Sequence, residues 1–244
     1  MMRTALVALL ALLPGPAAAA EISAAVAANF TKPAEELGAA FTARTGDTVR
    51  FSFGATGALY TQISQGAPFQ VFLAADNRRP AQAVSEGHGV AGTVFTYAVG
   101  KVVLYSPTLD LTDGEAVLRA GAFQHLAIAD PATAPYGAAG LEVAERLGLT
   151  AAIAPRLVTG ENITQTLQFI DTGNAELGFV ALSQVIGKPA PQVWAAPAAL
   201  YAPILQDAVL LAPAAGEPAA RAFLAFLQSG QGRAIIERYG YETH

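Results

Sequence analysis

The chain contains no cysteine. That absence removes disulfide bonds, thiolate metal sites and cysteine nucleophiles together. It also removes the side chain that would carry a lipid anchor at an export cleavage site. Charge is scarce: Asp, Glu, Lys and Arg make up 14% of the residues, against about 25% in an average domain. The formal net charge of −5 comes with no basic cluster, so nucleic acid is not an expected partner. There are three histidines, His88, His125 and His244, and no two stand at metal-ligand spacing. Long apolar runs are missing too; the one near the N-terminus is far short of the roughly 20 residues that span a bilayer.

Catalytic signatures are equally thin. Gly54-Ala55-Thr56-Gly57 lacks the Gly-Lys-Ser/Thr ending of a phosphate loop and the three spaced glycines of a dinucleotide fingerprint. No Gly-x-Ser-x-Gly elbow occurs. Serines and aspartates are present, but nothing ties them to a base. The expectation is a protein that is not an enzyme, with a periplasmic α/β hydrolytic enzyme as the alternative from another class.

What is there begins with Met-Met-Arg, a short apolar run from Ala5 to Leu13, Pro14-Gly15-Pro16 and four alanines. These are the parts of a secretory signal peptide spanning 1–20. Cleavage is expected after Ala20, and the periplasm is the expected compartment. A chain of this size buries enough apolar surface to fold without disulfides.

Beyond it, β-rich runs alternate with amphipathic helical stretches: 21–27 then 32–44, 48–53 then 58–65, 70–74 then 79–86. The pattern resumes with 125–129 then 138–147, and 156–159 then 164–171. Alternation of this kind predicts α/β architecture with parallel or mixed sheets flanked by helices. Two helices close the chain, 218–227, opened by a first-turn proline, and 231–239. Extended stretches at 95–106, broken by Gly100, and at 203–211 are candidate crossovers. If both cross, lobe I holds 21–100 plus 205–244 and lobe II holds 101–204, with a hinge and a ligand cleft between them. One continuous α/β domain is the other reading.

Four strand-to-helix junctions share neutral polar residues: Ala28-Asn29-Phe30-Thr31, Gly54-Ala55-Thr56-Gly57, the turn from Asp130 to Gly137, and Glu161-Asn162-Ile163-Thr164. Asn and Thr are ordinary helix caps. The start of a helix also leaves backbone N–H groups free under about half a positive charge, which makes it an anion site. Four such junctions, two in each expected lobe, could converge on one anion. The net charge argues mildly the other way.

In order and combination, Ala27-Ala28-Asn29-Phe30-Thr31, Phe53-Gly54-Ala55-Thr56-Gly57, Gly66-Ala67-Pro68-Phe69-Gln70-Val71-Phe72-Leu73-Ala74-Ala75-Asp76, Ala127-Ile128-Ala129-Asp130-Pro131, Pro135-Tyr136-Gly137, Gly178-Phe179-Val180-Ala181-Leu182-Ser183 and Tyr239-Gly240-Tyr241 resemble the periplasmic molybdate-binding proteins of ABC importers. The resemblance covers nearly the whole exported chain. It implies a type II periplasmic-binding fold and capture of molybdate, with tungstate as a near-equal, for delivery to a membrane permease. It implies no cofactor, with molybdenum entering only as the oxyanion; the protein is expected to act as a monomer. Carried over by position, Asn29 and Thr56 would donate from backbone and side chain, and Tyr136 and Ile163 from the backbone. Ala28, Gly57 and Asn162 flank them as further candidates. Some members place a tyrosine hydroxyl where this chain has Ala181, so a fifth donor is either absent or comes from elsewhere, with the Asn29 amide and the Tyr136 hydroxyl as candidates. Molybdate is a full dianion at neutral pH and needs only donors. Phosphate keeps a proton and calls for an acceptor; phosphate and sulfate remain the alternative ligands.

Overall fold

The computed structural model describes residues 19–243, so the export segment expected at 1–20 lies, save for Ala19 and Ala20, outside the described residues. Ten strands occur among these residues: β1 (Glu21–Ala27), β2 (Thr48–Gly54), β3 (Val71–Leu73), β4 (Phe95–Gly100), β5 (Val102–Tyr105), β6 (Leu126–Ala129), β7 (Leu157–Gly160), β8 (Leu177–Ala181), β9 (Val193–Ala195) and β10 (Ile204–Leu210). They form two five-stranded sheets, ordered β2-β1-β3-β10-β4 and β7-β6-β8-β5-β9. In the first, β1 is parallel to β2 and β3, and β10 is antiparallel to β3 and β4. The second repeats the plan, with β6 parallel to β7 and β8 and β5 antiparallel to β8 and β9. The result is a two-lobed α/β fold with mixed sheets, as the alternating pattern predicts.

Helices α1 (Thr31–Thr45), α2 (Thr56–Ser64) and α3 (Arg78–Ser85) follow the first three strands. In the second sheet's half, α4 (Gly114–Ala120), α5 (Pro135–Arg146), α6 (Thr150–Ile153), α7 (Ile163–Asp171) and α8 (Leu182–Val185) follow in turn. Helices α9 (Pro218–Leu227) and α10 (Gly230–Arg238) return to the first sheet, where Phe223, Phe226 and Ile236 share a core with Ile22, Leu37 and Phe41. Phe41 meets Phe223 edge-on at 5.3 Å between ring centres. Each large apolar side chain so buried contributes about 1.5–3 kcal/mol. The second core is built on Leu104, Ile128, Val143 and Phe179.

Two features of this wiring position a site. First, β1 has β2 on one side and β3 on the other, and β6 stands likewise between β7 and β8. The chain therefore reverses its winding at the carboxyl ends of β1 and β6, where α/β sheets open their ligand crevices. Second, only Lys101 separates β4 in one sheet from β5 in the other. The return passes through 196–203, with a 3₁₀ turn at Ala198–Leu200, because β10 itself lies wholly inside the first sheet. The extended stretch at 203–211 is thus a strand that follows the crossing rather than the crossing itself.

Candidate functional site

The carboxyl ends of β1, β2, β6 and β7 meet at a small cavity whose lining includes Ala28, Asn29, Thr56, Tyr136 and Ile163. Asn29 sits in the 3₁₀ turn Ala28–Phe30 that carries β1 into α1. Thr56 is the first residue of α2, and Ile163 the first of α7. Pro135 opens α5 without an N–H to give, so Tyr136 holds the first donor there. First-turn N–H groups have no acceptor within their own helix, and these four lie in a nearly dry setting: Asn29, Thr56, Tyr136 and Ile163 are 4%, 1%, 1% and 3% exposed. The cavity's lining holds no Asp, Glu, Lys, Arg or His. What is offered there is a set of fixed dipoles in a low-dielectric pocket, where they act more strongly than in water.

Small side chains let these helix starts converge. Ala27, Ala28, Ala55 and Ala75 from the first lobe share one apolar cluster with Tyr136 and Ile163 from the second. The cleft is closed, and polar bonds cross it. Gly57 N–H donates to the Thr133 carbonyl at 2.8 Å, Arg79 Nη2 donates to the Ala132 carbonyl at 3.0 Å, and Ser183 Oγ donates to the Asn29 carbonyl at 2.8 Å.

The side chains expected as donors divide. Thr56 Oγ accepts from Ala75 N–H at 3.0 Å, which leaves its own hydrogen for the cavity. Asn29 spends both amide hydrogens elsewhere, on Gln206 Oε1 and on the Tyr241 hydroxyl, each at 2.9 Å. The Tyr136 hydroxyl accepts from Gln206 Nε2 at 3.0 Å and is also hydrogen-bonded with the Tyr241 hydroxyl, and Gln206 Oε1 takes the Tyr97 hydroxyl at 3.1 Å. Tyr241 bonds Ser183 Oγ at 2.9 Å. Neither group expected to replace a hydroxyl at the Ala181 position is therefore free in this closed form. Both belong to a buried network that ties the two lobes together behind the cavity. Burial pushes the Tyr97 and Tyr136 hydroxyls well above their usual range and Tyr241 up to about 12, so all three stay protonated.

Two flanking candidates have other tasks and do not line the cavity. The Gly57 N–H is taken by Thr133 across the cleft. Asn162 Oδ1 caps α7, accepting from Thr164 N–H at 2.9 Å and Gln165 N–H at 3.1 Å; its residue lines a groove outside the cavity, beside Phe53 and Gln165. Asp130 is a turn residue that accepts from Ala132 N–H at 3.0 Å and Thr133 Oγ1 at 3.2 Å. Sequence reading missed Arg79, Gln206, Tyr97 and Ser183. A signal existed only for Arg79, three residues after an aspartate at a helix start. Among the described residues no group of three or more His, Asp or Glu could hold a metal ion.

A neutral, donor-lined cavity clamped between two similarly wired lobes defines a binding protein for a small solute. The chain belongs to the family of bacterial extracellular solute-binding proteins, which matches it over residues 22–242. That is a family of binding proteins rather than enzymes. The chain is 54% identical to the molybdate-binding protein ModA of Rhodobacter capsulatus, over 93% of this chain and 90% of that one. It is 51% identical to ModA of Azotobacter vinelandii, over 94% and 93%. The solved structure of an Azotobacter vinelandii periplasmic molybdate-binding protein superposes with a TM-score of 0.88 at 36% identity, covering 91% of this chain and 99% of that one.

Proposed function

We propose that this protein captures molybdate, and tungstate with it, in the periplasm and delivers it to the membrane permease of an ABC importer. The observation that carries the reading is the cavity itself: first-turn N–H groups of Asn29, Thr56, Tyr136 and Ile163, plus the Thr56 hydroxyl, with no charged side chain in the lining. Ala28 adds its backbone at the edge. A dianion that carries no proton is satisfied by such a set, whereas a protonated phosphate would find no carboxylate to accept from it. The two ModA relatives are named for the same ligand.

Charge-assisted hydrogen bonds contribute about 1.5–3 kcal/mol each. About five of them, less the cost of ordering and closure, reach micromolar to nanomolar Kd. Molybdate and tungstate are nearly the same size and compete; the smaller sulfate leaves the bonds stretched. The working unit is a monomer released by cleavage after Ala20, with lobe I at 21–100 plus 205–244 and lobe II at 101–204. Competition calorimetry with molybdate, tungstate, sulfate and phosphate tests the ligand. Molybdate and tungstate should bind at least tenfold more tightly than sulfate; equal affinity for sulfate or phosphate would overturn the assignment.

A further inference from the structure

Arg79 is the only buried lysine or arginine among the described residues, at 8% exposure. Its place is unfavourable on local grounds. It sits in the first turn of α3, where the helix dipole disfavours a cation, and burying a charge carries a desolvation cost. The offset comes from both sides of the cleft. Asp76, just ahead of α3, accepts from the Arg79 backbone N–H at 2.8 Å and ion-pairs with its Nη1. The remaining arm, Nη2, reaches over to the Ala132 carbonyl.

The receiving turn is built to be held. The Asp130 carboxylate fixes Ala132 N–H and Thr133 Oγ1, while Thr133 and Ala134 N–H groups both donate to the Asp130 carbonyl. The carbonyls of residues 132 and 133 are thereby presented to the first lobe, one to Arg79 and the other to Gly57 N–H. Glycine at 57 permits this close approach: a Cβ there would stand 2.7 Å from Arg79 Nη2 and 3.0 Å from Thr133 Cα, so the guanidinium or the turn would have to shift. The turn so gripped runs straight into Pro135 and Tyr136, and the gripping helix α2 begins at Thr56. The latch lies beside the cavity but outside its lining.

We propose that Arg79, neutralised by Asp76, is a positioning residue: a latch that holds the cleft shut by binding the 131–133 turn, and so sets how long the oxyanion stays without touching it. This rests on the molybdate-binding reading above. Opening the cleft breaks the Arg79–Ala132 bond, so the residue acts on release rather than on encounter.

Stopped-flow binding of sodium molybdate to the exported chain, alongside Arg79→Met and Arg79→Lys, tests it. Arg79→Met should raise koff about 10- to 100-fold, the worth of one charged hydrogen bond, with kon changed less than about threefold. Arg79→Lys, which keeps the charge but loses the fork, should fall between and guards against a folding failure of the methionine variant. Ligand-free small-angle scattering should find Arg79→Met more open than wild type. A merely structural role would lower the melting temperature and leave koff and scattering unchanged; that result overturns the latch, as does a loss confined to kon. If wild type fails to bind molybdate, the ligand assignment fails instead, and the ligand-free scattering still decides the latch.

Discussion

At the scale of single residues, the cavity separates groups that face the ligand from groups that hold those groups in place. Thr56 belongs to the first kind, because its hydroxyl accepts from Ala75 N–H and keeps its own hydrogen. Thr56→Val should weaken molybdate binding by about 1.5–3 kcal/mol, read by calorimetry. Ile163 offers only its backbone, so Ile163→Ala should change Kd by less than about threefold; a loss as large as that of Thr56→Val would contradict the backbone assignment. Tyr136 is the discriminating case. Its hydroxyl serves Gln206, not the cavity, so Tyr136→Phe should cost about 1–3 kcal/mol of stability by stranding the buried Gln206 amide while leaving affinity nearly intact. Local residue type marked the helix-start junctions that meet at the cavity, whereas Tyr136 and Ile163 within them were singled out by the family resemblance. It could not assign the Asn29 side chain, whose partners Gln206 and Tyr241 lie 177 and 212 positions away. A local pattern carries no information about which distant amide claims a hydrogen.

Element starts are where small errors of reading matter most. The periodicity places the helices after β2, β6 and β7 from 58, 138 and 164 onward, yet they begin at Thr56, Pro135 and Ile163. Those first turns are small, neutral or proline-led and carry little amphipathic signal, although they supply the donors. Strands β8 and β9 went unread because β8 is a fully buried apolar run without alternation. The crossover after β4 also depends on one residue type. A Cβ at Gly100 would lie 2.0 Å from the Tyr136 hydroxyl and 2.6 Å from Gln206 Nε2, so Gly100→Ala should lower stability by about 1–3 kcal/mol through overpacking, measurable by urea unfolding. On β10, burial foremost and the nearby Asp76 hold the Asp207 carboxyl above its usual pKa, against a lowering bond from Thr96. A carboxyl raised on folding opposes the fold when ionised. That deficit is fully present above the raised pKa and is relieved as pH falls through it. Asp207→Asn should therefore melt higher than wild type at neutral pH, with the gap closing on acidification.

For the whole molecule, a chain with a net charge of −5 offers a proposed dianion a cavity without a cation in its lining. Net charge sets solubility and long-range fields, whereas four helix starts closing on one point set the local potential. The same arrangement removes the usual sources of pH dependence. No titratable carboxylate, histidine, lysine or arginine lines the cavity. The one hydroxyl-bearing titratable residue there, Tyr136, is held protonated by burial, as are Tyr97 and Tyr241 behind it. Molybdate itself stays fully deprotonated across the neutral range. Its Kd should accordingly be flat from about pH 6 to 9, because no group that shifts charge in that interval touches it. Calorimetry at four or five pH values, with buffer ionisation corrected, reads this directly. Phosphate in the same series should bind weakly and change with pH, since its second proton leaves near neutrality and only the dianion suits a cavity made wholly of donors. A molybdate Kd that moved tenfold per pH unit would mean that a titrating group reaches the ligand, and the donor-only account of this site would then be wrong.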